Sequence, residues 1–178
     1  MSLPALATTR LGLRPWCADD VDTLHALWTR PEVRRHLWDD VIIARARADE
    51  TVRRGLAAAE EQALGGWLAF DRVTDALAGF VALFPGEQGD PELLYGFAPE
   101  WWGRGFATEG SREALVYAFG PRGCSRVTAA TDVSNLRSVR VLERLGMRFV
   151  RRGPLNGLDT VFYEIGREAF LAQPPARY

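Results

Sequence analysis

The sequence predicts an α/β (α+β) fold in one domain over residues 1–178, with a mixed, mostly antiparallel sheet of about seven strands and helices on both faces. Three observations predict it. Short apolar or alternating runs recur through the chain, each bounded by Gly, Pro, Asn or Asp. Stretches with apolar residues at helical spacing stand before these runs and between them. One pair of runs, 93–98 and 126–131, is joined by a helical stretch, which makes a parallel crossover inside an otherwise hairpin-linked sheet.

The elements follow in order. Residues Arg10 to Arg14 alternate and lead into Pro15, as an edge or first strand does. Asp19 or Asp20 caps a helix carrying Val21, Leu24, Leu27 and Trp28 on one face. Pro31 breaks it and starts the next helix. A second helical tract runs over 43–61, with Gly65-Gly66 read as its stop. The runs 67–73 and 76–84 make a hairpin about Thr74-Asp75, and a third run follows at 93–98. Between them, Pro85 to Pro91 is a loop by composition. A helix over 106–119, a strand over 126–131 and a helix over 135–145 come next, with Gly146 as the C′ residue. Strands at 147–152 and 158–166 close the sheet about a loop at 153–157. Residues 173–178 are expected to fray.

Composition excludes several functions. A net charge of −1 gives no basic field for nucleic acid or anionic membrane. All 22 basic residues are arginine, so neither a Schiff-base lysine nor a phosphate-loop lysine is available. Cys17 and Cys124 lie far apart and in no metal-ligand spacing, which fits a reducing cytoplasm and no bound metal. A cysteine nucleophile wants a histidine partner, and only His25 and His36 exist, both in the early helices. The first ten residues lack a signal-peptide pattern, and no apolar run reaches membrane-spanning length. Monomer and homodimer both stay open, with a lean to the dimer.

The most informative segment is Trp101-Trp102-Gly103-Arg104-Gly105-Phe106-Ala107-Thr108-Glu109. It ends a strand and opens a helix. Free backbone N–H groups and the positive end of the helix dipole meet there, and glycine lets an anion approach the chain closely. A phosphate-bearing ligand is the first expectation. A second polar turn, Asp132 to Ser138, leaves the next strand. Asn135 offers an amide donor and acceptor, and Ser138 lies one turn into the helix. Parallel strands put both turns at one end of the sheet, where open α/β sheets bind ligands. A dinucleotide module is the competing reading of Gly103-x-Gly105. Thr108 at the third fingerprint position, and a single crossover unit in mid-chain, speak against it.

The run from Phe97 to Glu109 resembles the acyl-CoA signature of GCN5-related N-acetyltransferases, and more narrowly the ribosomal-protein-alanine N-acetyltransferase type. Asn135-x-x-Ser138 followed by Glu143-Arg144-Leu145-Gly146-Met147 resembles that group's second signature, with Met147 where Phe is usual. Trp102 stands where distant relatives carry Gln or Arg. The strand and helix order fits over about Arg10 to Phe170.

The resemblance implies acetyl-CoA as cosubstrate, no metal, and transfer to an amine. Backbone N–H groups of Gly103, Arg104, Gly105, Phe106, Ala107 and Thr108 would hold the pyrophosphate beside Trp102, with the Thr108 hydroxyl adding to them. Phe97 and Ala98 would pair with the pantetheine arm, and donors near Phe97 would stabilise an oxyanion. Asn135 would bond a pantetheine amide, Ser138 would protonate the leaving thiolate, and Arg144 would touch the 3′-phosphate. Glu92 is the first candidate for general base, with Glu100 and Glu109 behind it and Glu109 read as a helix-dipole partner. Arg34, Arg35, His36 and Trp38 would line an acceptor pocket or form a solvated helix face. The expected acceptor is a peptide N-terminus; an aminoglycoside, polyamine or amino acid, or a non-catalytic acyl-CoA sensor, are the alternatives.

Overall fold

The computed structural model describes residues 3–86 and 89–174. Its strands are β1 (Leu6–Ala7), β2 (Leu11–Pro15), β3 (Gly65–Asp71), β4 (Leu77–Pro85), β5 (Pro91–Phe97), β6 (Arg126–Asp132), β7 (Arg148–Leu155) and β8 (Leu158–Gly166). Its helices are α1 (Val21–Trp28), α2 (Pro31–Leu37), α3 (Arg45–Gln62), α4 (Phe106–Phe119), α5 (Leu136–Arg144) and α6 (Arg167–Leu171). The strands form one sheet in the order β1-β2-β3-β4-β5-β6-β8-β7. Every neighbouring pair is antiparallel except β5 and β6.

Two cores lie on the two faces of this sheet. Leu93 and Phe97 of β5 bury with Ala114 and Leu115 of α4 and Leu142 of α5, with Tyr95 packed against them. Leu94 turns the other way, against a core of Val21, Leu24 and Trp28 from α1, Val33 from α2 and Phe80 from β4. Period-two alternation along β5 thus decides which residues meet which helices. Trp28 and Phe80 sit edge to face, with ring centroids 5.8 Å apart. Burying aromatic side chains of this size stabilises by roughly 1.5–3 kcal/mol each, which fixes α1 against the sheet.

Most expected elements stand within a few residues of their predicted bounds, and the differences have local causes. The expected strands are joined by an eighth, β1, whose two residues are too few to show periodicity. Gly65 and Gly66 do not stop α3; Ala63 does, in the left-handed conformation at φ 52°. The two glycines open β3 instead, because a Cβ on Gly66 would stand 2.2 Å from the Trp16 ring and one on Gly65 2.7 Å from Leu3. The loop expected over 153–157 shrinks to Asn156-Gly157, whose φ values of 50° and 82° suit a two-residue hairpin turn. In the 85–91 loop, Gly86 N–H donates to the Asp90 carbonyl, while residues 87 and 88 lie outside the described chain. Gln173, expected to fray, is held by Arg112 at 2.7 Å and by the Leu145 carbonyl at 3.0 Å; residues 175–178 lie outside the described chain. Among the described residues no helix is long and apolar enough to cross a membrane.

Candidate active site

The glycine turn is held open by its backbone. After one 3₁₀ turn at Pro99–Trp101, Gly103 and Gly105 take φ values of 74° and 81°, a region that L side chains rarely enter. Gly105 is the N-cap of α4 and has no side chain with which to cap it. The first N–H bonded into the helix is that of Glu109, which donates to the Gly105 carbonyl at 3.0 Å. Phe106, Ala107 and Thr108 therefore have no intrahelical acceptor for their N–H groups. The flanking aromatics brace the turn: Trp101 stacks on Phe106 at 5.4 Å, and Trp102 donates its indole N–H to the Phe97 carbonyl at 2.7 Å.

Beside this turn the sheet comes apart. β5 pairs with β4 along its whole length, but with β6 at one position, Glu92 opposite Thr128. β6 is meanwhile held by β8 as far as Asp132 opposite Thr160. The parallel strands are pinned at their N-terminal ends and diverge beyond them. Ala98 donates its N–H to the Ala78 carbonyl at 2.9 Å, and its carbonyl accepts from Trp101 at 2.9 Å. By antiparallel alternation Gly96 and Leu94 also turn their backbone groups to β4, so Tyr95 and Phe97 turn theirs into the wedge. Of the expected Phe97–Ala98 pair, only Phe97 faces the opening.

Asn135 caps α5, its Oδ1 accepting from the Ser138 N–H at 3.2 Å. The capping role is thus present, and the amide nitrogen is the remaining polar arm. Ser138 has a partner that the sequence does not reveal. Its Oγ lies 2.7 Å from the Tyr95 hydroxyl, which also reaches the Ser138 carbonyl at 3.3 Å. Burial pushes the Tyr95 phenol well above its ordinary pKa, so it stays a neutral proton donor. The signal was available in part: Tyr95 shares its strand face with Leu93 and Phe97, but nothing local says that α5 covers that face.

The three candidate carboxylates separate. Glu109 is fully buried against Arg10, at 2.5 Å. Glu100 pairs with Arg30 at 2.9 Å, which holds its carboxyl below the ordinary range. Glu92 stands at the closed end of the wedge. Arg144 is exposed in the last turn of α5. Arg137, on the same helix, lies 4.4 Å over the Trp102 ring and ties α5 to the glycine turn.

A cavity of about 500 Å³ opens between α2 and the C-terminal end of β6. Arg35, His36, Asp39, Asp40, Asp132 and Asp159 are among its lining residues. His36 Nδ1 lies 3.0 Å from Asp132 Oδ2, joining the two sides. Arg34 is drawn off to Asp40 at 3.0 Å, and Trp38 packs on Trp28 at 5.6 Å. So Arg35 and His36 line this cavity, Arg34 meets it only through Asp40, and Trp38 packs against the core. His25 bonds the Ile43 carbonyl at 2.9 Å, and the two cysteines are free, Cys17 exposed and Cys124 buried.

A sheet that splits at one parallel pair, beside an uncapped helix N-terminus, defines an α/β protein suited to an extended ligand ending in phosphate. Comparison with known proteins agrees. The sequence model described as "Acetyltransferase (GNAT) domain" matches residues 10–148, and the chain belongs to that family. It is an acyl-CoA-dependent N-acetyltransferase. The uncharacterized protein YkkB of Bacillus subtilis (strain 168) is 35% identical over 86 residues, 47% of this chain and 50% of that protein, so the match spans half of that relative's length. A RimL ribosomal L7/L12 alpha-N-protein acetyltransferase in complex with coenzyme A superposes with a TM-score of 0.78 at 17% identity, over 93% of this chain and 99% of that one. Spermidine N-acetyltransferase from Vibrio cholerae, in complex with CoA and spermine, gives 0.76 at 21%, over 92% and 99%. At these identities the two structures speak for the fold alone.

Proposed function

We propose that this enzyme moves an acetyl group from acetyl-CoA to a primary amine by direct aminolysis in a ternary complex, the preferred acceptor being a protein or peptide N-terminal α-amine. The observation that carries this reading is the β5–β6 wedge, which runs from the uncapped start of α4 past Ser138. The donor supplies an activated acyl thioester. Backbone N–H groups from Gly103 to Thr108 hold its pyrophosphate, and the Phe97 backbone pairs with its pantetheine arm. The Asn135 amide nitrogen donates to that arm, and Arg144 faces the adenosine 3′-phosphate. Backbone donors near Phe97 face the carbonyl where negative charge develops. Ser138 gives its proton to the departing sulfur, and the neutral Tyr95 hydroxyl orients it.

The acceptor must arrive as a free amine. For an α-amine with pKa near 8, losing the proton at pH 7 costs about 1.4 kcal/mol, against about 4.6 for a lysine amine. A single carboxylate is enough for the first, and Glu92, at the closed end of the wedge, takes that role. The cavity lined by Arg35 and His36 receives the rest of the acceptor. Its acidic lining supports a second reading, a cationic small amine such as a polyamine, with Asp39 the carboxylate to meet it, since Asp40, Asp132 and Asp159 already face Arg34, His36 and Arg152. A panel of peptides, polyamines, aminoglycosides and amino acids, assayed with acetyl-CoA for released thiol, decides between them. Turnover is expected with peptides bearing small N-terminal residues. Hits confined to polyamines or aminoglycosides reject the α-amine preference, and CoA binding without turnover on any amine makes the protein a sensor.

A further inference from the structure

We propose that Arg10 is the positioning residue of the phosphate cradle, acting on the glycine turn through the Arg104 carbonyl. The inference rests on the reading of Gly103–Thr108 as the pyrophosphate site. Arg10 lies just before β2, far from that turn in sequence, yet its guanidinium fills the space behind it. Nη1 donates to the Arg104 carbonyl at 2.9 Å. Nε donates to Glu109 Oε2 at 2.7 Å, and Nη2 approaches the same oxygen at 2.5 Å. The Arg10 backbone N–H donates to Glu109 Oε1 at 2.9 Å, and the Thr8 hydroxyl donates to that oxygen as well. The guanidinium also lies 4.7 Å over the Phe106 ring, and a Cβ on Gly105 would stand 3.5 Å from Nη2.

Two consequences follow from elementary chemistry. A trans peptide points its C=O and its N–H in opposite directions. With the Arg104 carbonyl bonded to Arg10, the Gly105 N–H faces away from Arg10, adding a donor to those of Phe106, Ala107 and Thr108. A turn whose two glycines both sit at positive φ has backbone freedom to flip that peptide. The bond to Arg10 removes it. The second consequence is electrostatic. Glu109 is fully buried in the first turns of α4, close behind the site where the anion is to bind. Arg10 cancels that charge, so the dipole of α4 meets the phosphates unopposed.

The test compares CoA binding by calorimetry, thermal stability and steady-state kinetics in the 178-residue enzyme. Arg10→Met should weaken CoA roughly tenfold or more, and raise the KM for acetyl-CoA without raising the KM for the amine. Arg10→Lys keeps the charge but cannot chelate Glu109 and reach Arg104 together, so it should also bind CoA weakly. Arg10→Met combined with Glu109→Gln removes the stranded carboxylate; it should recover melting temperature and part of the CoA affinity, while binding stays below wild type because the Arg104 carbonyl is still unheld. Wild-type CoA affinity in folded Arg10→Met, or full recovery in Arg10→Lys, overturns the proposal and leaves the pyrophosphate site standing. Absence of CoA binding by the wild type overturns both.

Discussion

The two edges of β5 belong to the same seven residues and meet opposite fates. Toward β4, every position from Pro91 to Phe97 is paired. Toward β6, pairing stops at Glu92, and the strands part. The paired edge needs only backbone and alternation. The open edge leaves the Tyr95 backbone groups and the Phe97 N–H without a neighbouring strand, while the Phe97 carbonyl accepts from the Trp102 indole; under the proposed function the ligand's arm completes that edge. The glycines divide in the same way. Gly66 sits against Trp16 because two layers approach closely, whereas a Cβ on Gly103 would meet nothing within 4 Å, so its positive φ alone favours glycine. One set of glycines serves packing; the other serves a turn conformation, which the proposed function uses for binding.

Substitutions on the open side should damage chemistry before stability. Ser138→Ala is expected to lower kcat about 100-fold or more, as loss of a general acid does, with CoA affinity little changed; steady-state kinetics and calorimetry together check it. Gly105→Val forces a β-branched residue to φ 81° and should cost about 1–3 kcal/mol, read as weaker CoA binding. Its counterpart on the packed side, Gly66→Ala, should lose about 1–3 kcal/mol of stability by denaturant melting while the folded protein binds CoA normally. If Gly66→Ala weakened CoA as much as Gly105→Val, the division between packing and binding glycines would fail.

Tyr95 sits on the boundary, with its backbone in the wedge and its hydroxyl on Ser138. Tyr95→Phe should cost about 1 kcal/mol in kcat, and nothing further in a Ser138→Ala background. It also carries the smallest predicted effect. Its folded-state pKa lies above the ordinary 10.0, because burial disfavours the phenolate. The folded state therefore holds its proton longer than the unfolded state does. Stability from this group is intact below about pH 10 and declines as pH rises beyond it. An alkaline melting series should show that decline in the wild type and a shallower one in Tyr95→Phe.

Much of this was legible in the sequence because it is local. The glycine turn, the Asn135 cap and the Ser138 spacing each lie within one strand-to-helix turn, and local residues decide local backbone. What was not legible is carried by long-range pairs. Arg10 and Glu109 are 99 residues apart, His36 and Asp132 are 96 apart, and Tyr95 meets Ser138 across 43. No periodicity announces such contacts; they follow from which helix covers which sheet face. The Gly65-Gly66 pair misleads for the same reason. A glycine pair after a helix reads as a stop, and only the Trp16 ring packed against it reveals a tertiary cause.

The most direct measurement is a crystal structure of the enzyme with CoA. The expected result places the pyrophosphate oxygens within hydrogen-bond distance of the Gly105, Phe106, Ala107 and Thr108 N–H groups, with the pantetheine arm lying along β5 between it and β6 and the sulfur near Ser138. A complex with the coenzyme bound elsewhere, or with β5 and β6 zipped together and the ligand outside them, would contradict it.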